Sequence, residues 1–74
     1  MEDTVKIYVQ LLDEGTPTIR GTEAIPLGNG RYQILATNRY NPDDEIWEFL
    51  PGTVVVGQTK INFGEEILLA VAQA

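Results

Sequence analysis

Asn41, Asp43, Asp44 and Glu45 place four oxygen-bearing side chains within five residues. Oxygen donors at that density are the kind that hold Ca²⁺ or Mg²⁺, or the polar groups of a small metabolite. The regular spacing of an EF-hand loop and its terminal glutamate are absent, so the same residues also read as a solvated acidic loop. Glu48 carries the acidic run into the next element. Tyr40 precedes it, and with Trp47, Tyr8 and Tyr32 it belongs to the small set of aromatics that could line a groove for a peptide.

Catalysis is harder to build. The chain has no His, no Cys and no Ser, which removes the commonest general base, the two commonest nucleophiles and the strong zinc ligands other than carboxylate. A hydrolase working with paired carboxylates needs two acids facing each other at roughly 5 to 10 Å, and no pair stands out. Gly28-Asn29-Gly30 is too short for a phosphate loop and lacks the Gly-Lys-Ser/Thr that would follow. The residues therefore predict neither an enzyme nor a cofactor.

Five Lys and Arg stand against 11 Asp and Glu, a formal net charge of −6. Such a surface repels nucleic acid, whose binding depends on basic residues releasing counterions, and it repels anionic membranes. The start Met1-Glu2-Asp3-Thr4 lacks the basic beginning of a signal peptide, and no apolar run approaches a membrane span. A cytoplasmic protein is expected. At 74 residues the chain forms one domain that buries only about 60% of its unfolded surface. Without Cys or His it has no staple, so its core or an interface between copies must stabilise it.

The elements that must carry these residues are strands. Residues 4 to 12 put Val5, Ile7, Val9 and Leu11 on one face and Lys6, Tyr8 and Gln10 on the other, the period of a half-buried strand. A second strand is expected over 18 to 25, with a bulge or bend at Gly21. Asn29-Gly30 suits a type I′ hairpin turn, and the strand returns over Arg31 to Thr37. A loop over Asn38 to Asp44 feeds Glu45 to Leu50, where Trp47 and Phe49 share a buried face and Glu48 points to solvent. Pro51-Gly52 fits a type II turn, which serves a corner between sheets about as readily as a tight hairpin. Thr53 to Lys60 follows with Val54, Val55 and Val56 apolar on both faces, which calls for cover on two sides or a partner. Asn62-Phe63-Gly64 is a turn. The tail from Glu65 to Ala74 reads as a closing strand, with a short helix as the competing reading. Short strands broken every 8 to 12 residues predict an all-β fold: a small, strongly bent antiparallel barrel of SH3-like kind, with five to six strands.

The segments Tyr8-Val9-Gln10-Leu11-Leu12-Asp13-Glu14-Gly15-Thr16, Leu27-Gly28-Asn29-Gly30-Arg31-Tyr32 and Asp44-Glu45-Ile46-Trp47-Glu48-Phe49-Leu50-Pro51-Gly52-Thr53-Val54-Val55 together resemble a group of small uncharacterised bacterial proteins over most of the chain. Members commonly carry Trp-Arg-Pro where this chain has Ile19-Arg20-Gly21. The resemblance implies one compact domain of bacterial cytoplasmic origin and transfers no functional residue. Function is expected to be that of a non-catalytic module binding another protein, with a basic partner favoured, or binding a second copy as a homodimer. Tyr40, Asp43, Asp44, Glu45 and Glu48 are the candidate contacts. A metabolite- or divalent-ion-binding protein using Asn41 to Glu45 is the alternative.

Overall fold

Alternation of β-branched and polar residues along the first strand buries one of its faces and sets the register of the rest. The computed structural model describes residues 3 to 74, so Met1 and Glu2 of the acidic start lie outside it. Six strands follow in order: β1 (Val5–Leu12), β2 (Thr18–Gly28), β3 (Arg31–Ile34), β4 (Ile46–Trp47), β5 (Val54–Asn62) and β6 (Glu65–Gln73). Ile7, Val9 and Leu11 of β1 point inward and meet Ala24, Ile34, Trp47, Val55 and Ala70 in one core. Each large side chain so buried contributes about 1.5 to 3 kcal/mol relative to exposure.

The sheet runs β2-β3-β5-β6-β1-β4, and β2 also pairs with β1. The chain is thus the small, strongly bent, SH3-like barrel that its pattern predicts, closed through five strands. Bending is concentrated in β2, which pairs with β1 from Thr18 to Ala24 and with β3 from Ala24 to Gly28. All neighbours are antiparallel except the closing pair, Tyr8 on β1 with Leu69 on β6, which is parallel. The tail is the closing strand, not a helix.

Turns follow the residue chemistry. Asn29 at φ 57° and Gly30 at φ 76° make the type I′ turn between β2 and β3. Gly52 at φ 92°, with the Thr53 N–H donating to the Leu50 carbonyl at 3.1 Å, completes the corner; β4 and β5 do not pair with each other. Phe63 and Gly64 form the β5–β6 turn at φ 50° and 79°.

Three expectations are corrected. The tryptophan strand is two residues long, because β6 occupies the β1 edge at Tyr8 and leaves β4 only Leu11 and Leu12. One more bond, from the Glu48 N–H to the Gln10 carbonyl at 2.9 Å, ends the pairing, and Phe49 reaches the core from a bend. The returning strand stops at Ile34 rather than Thr37, since the Leu35 carbonyl is taken by the Thr22 hydroxyl at 2.6 Å. Gly21 is no bulge: its register with Tyr8 is regular, and the irregularities lie at Pro26/Gly28 and Val56/Gly57. Its missing side chain instead makes room for Lys6 and Tyr8, as a Cβ there would stand 2.8 Å from Lys6 Cε and 3.2 Å from Tyr8 Cε2.

Phe63 occupies a left-handed conformation that a bulky L-residue enters at a cost of roughly 1 to 2 kcal/mol, and it is 99% exposed, so packing does not offset that strain. Phe63→Asn is expected to raise stability by about 0.5 to 1 kcal/mol, Asn being at ease at this turn position. A higher urea midpoint with unchanged slope is the expected readout; a lower midpoint would show that the phenylalanine ring supports the fold.

Candidate functional site

The acidic loop is built by its first residue. Asn41 accepts the Asp43 N–H on its side-chain oxygen at 2.9 Å, and its amide donates to Asp44 Oδ2 at 3.2 Å. Its carbonyl also accepts the N–H groups of Asp44 and Glu45, both at 3.0 Å. An asparagine satisfying the backbone two residues on is the expected start of such a turn. Asp43 and Asp44 are left exposed at its crest, and Glu48 is exposed beyond β4.

Glu45 leaves this group. It lies two residues before Trp47, on the same side of the chain, and turns toward the core. One carboxylate oxygen accepts the Trp47 indole N–H at 2.9 Å. The other accepts Arg20 Nε at 2.8 Å and also Arg20 Nη2. Arg20 stands on β2 opposite Val9, on the inward row, and its side chain is 48% exposed against 18% for Glu45. The pair therefore caps the open end of the barrel over Trp47. Tyr40 closes the group, its ring edge-on to Trp47 at 4.8 Å between centroids and 65° between planes. Of the predicted contacts, the structure keeps Asp43, Asp44 and Glu48 at the surface and commits Glu45 and Tyr40 to the core's edge.

No group of three or more carboxylates converges to hold a cation among the described residues. A different surface does come together. Leu12 and Ile46 are cross-strand partners between β1 and β4, and both are exposed, at 42% and 46%. Glu48 follows Ile46 by two residues and is exposed, and Leu50 is 54% exposed. Asp43, Asp44 and Glu48, all exposed, lie within three residues of Ile46 along the chain.

Elsewhere, a cleft of about 380 Å³ is lined by Lys6, Gly21, Thr22, Glu23 and Ala36 to Asn38. Sequence reasoning missed it, because it arises where the chain after Leu35 departs from β2. Gly21 was its only visible signal. No family model, curated protein or solved structure matches the chain.

The Glu45 carboxyl is held below its ordinary value near 4.5, first by the Trp47 hydrogen bond and then by Arg20, with burial opposing them. A carboxyl lowered in the folded state contributes stability that is present above its unfolded pKa and lost as pH falls through its folded one. Stability is expected to decline below about pH 4.5 with a component absent from Glu45→Gln. At neutral pH that variant should lose about 1 to 2 kcal/mol, the scale of charge-assisted bonds at a partly exposed site, read by urea unfolding of Trp47 fluorescence. A variant with wild-type stability and acid response would remove the cap from the account of the fold.

Proposed function

We propose that the chain is a non-catalytic protein-interaction module that binds a basic protein surface through the Leu12–Ile46 pair and its acidic border. The observation that carries this reading is the exposed apolar cross-strand pair Leu12–Ile46, with exposed Asp43, Asp44 and Glu48 within three residues of Ile46 in the chain. Apolar side chains at the centre supply desolvation energy, and charges at the rim set partner choice and association rate. Absence of a catalytic role agrees with the site chemistry. Glu45 commits both carboxylate oxygens to the Trp47 indole N–H and to Arg20, which supports a structural role for it in this reading. The resemblance to small bacterial proteins is what supports a bacterial cytoplasmic setting in this reading.

Affinity capture from a bacterial lysate, with wild-type protein and Leu12→Glu/Ile46→Glu as parallel baits, tests the patch. A protein retained by the first and lost by the second is expected. For that partner, Asp43→Asn/Asp44→Asn/Glu48→Gln should slow association and flatten its salt dependence. Identical captures, or identical rates across ionic strengths, would sink the assignment.

A second reading, self-association, is favoured by the outer face of β5 and β6. Val54, Val56, Ile67 and Leu69 are there only partly buried, with Ala72 exposed opposite Val56. Val55, between the two valines, is fully buried, so the strand carries apolar groups on both faces while one chain fully covers one of them. Sedimentation at high micromolar concentration is expected to give a dimer that Val56→Lys converts to monomer. A monomeric wild-type protein would eliminate this reading.

A further inference from the structure

One edge of β2 is unpaired over part of its length. Beyond Ala24 toward its start, β2 keeps β1 on one edge and has no strand on the other. The Leu35 N–H donates to the Glu23 carbonyl at 2.9 Å, and from there the chain peels away through Ala36, Thr37 and Asn38. Between that segment and β2 lies the open cleft already described.

The direction of the backbone groups at this edge follows from the ladder. Glu23 bonds Leu35 on the side away from β1, and peptide groups alternate sides along a strand. Gly21, which lines the cleft, and Ile19, further along the same edge, therefore present their N–H and C=O groups on the side away from β1. Strand-edge donors and acceptors repeating every second residue match an extended peptide backbone, and the unpaired edge is where such a strand would continue the sheet. Gly21 itself adds no side chain at this edge, and those of Lys6 and Tyr8 lie over its outer face. Lys6 lies over that glycine, its ammonium 5.3 Å from the Tyr8 ring centroid and in no ion pair among the described residues. Glu23, on the same wall, accepts the Thr4 hydroxyl at 2.8 Å.

We propose that the Ile19–Gly21 edge of β2 docks an extended peptide as an added strand, with an acidic side chain of that peptide received by Lys6. The proposal deepens the protein-interaction reading by giving it a second surface and a partner of stated form. The two surfaces are separable, since the peptide bonds the β2 backbone while Leu12 and Ile46 lie across β1.

A phage-displayed library of random nine-residue peptides, panned against the intact protein, supplies the probe. Selected peptides should carry Asp or Glu. Titrated into ¹⁵N-labelled protein, a synthetic copy should shift the amides of Ile19, Gly21 and Glu23. Ile19→Pro removes a donor that the chain's own ladder does not use, and it should weaken binding about tenfold, the scale of a lost hydrogen bond, in a protein whose spectrum shows it folded. Lys6→Glu alters no backbone group and should change the selection to basic peptides. Failure to enrich any peptide, or equal binding by Ile19→Pro and unchanged selection by Lys6→Glu, overturns the proposal. Shifts confined to Leu12 and Ile46 overturn it while leaving the interaction reading intact, whereas loss of capture specificity at that patch leaves the edge untouched.

Discussion

A small barrel that buries a tryptophan must find a partner for its indole N–H, and the rest of this structure is arranged around that need. Left unsatisfied, the donor would cost about 1 to 3 kcal/mol, a large share of the stability of a domain of this size. Glu45 supplies the acceptor, and a carboxylate brought so close to the core then needs a cation. Arg20 provides it from β2. One chain of charge-assisted bonds thus joins the second strand, the end of the long loop and β4. Two residues of pairing would not hold β4 alone, so the loop is placed by this link and by the Tyr40 ring.

Closure of the ring follows from counting reversals. From β1 through β2, β3 and β5 to β6, each neighbour runs antiparallel to the last. Four reversals restore the original direction, so β6 meets β1 in parallel. That seam is one residue pair long, and β4 uses what remains of the same edge. The long β5–β6 hairpin compensates with extensive pairing of its own, and Gly57 lets Tyr32 lie against it, since a Cβ there would stand 2.8 Å from the ring.

Much of the fold was legible because it rests on local chemistry. Inward alternation in β1, the Asn29-Gly30 turn, the Pro51-Gly52 corner and the strand character of the tail each depend on neighbouring residues. The candidate site was legible only in part. Asp43, Asp44 and Glu48 are exposed as their polarity implies, but Glu45 could not be separated from them, because its partner Arg20 is 25 residues away and on a core-facing row. The cleft was invisible for the same reason: it is defined by where β3 stops following β2, and that depends on one hydroxyl, Thr22, capturing the Leu35 carbonyl.

Open strand edges bear on which surfaces can recognise other chains. In the β5–β6 hairpin, residues 59 to 62 and 65 to 68 pair only with each other, and each edge carries charge, Lys60 on β5 and Glu65 and Glu66 on β6. Charged residues on an edge discourage indiscriminate strand addition, since a second strand would have to bury or oppose them. At the β2 edge the side chain over Gly21 is a lysine lying across the outer face, and Arg20 is held inward by Glu45. Neither obstructs an approaching backbone. The same arginine that completes the tryptophan's bonding is thereby directed to Glu45, so the interaction that stabilises the core also keeps that side chain away from the unpaired edge of β2.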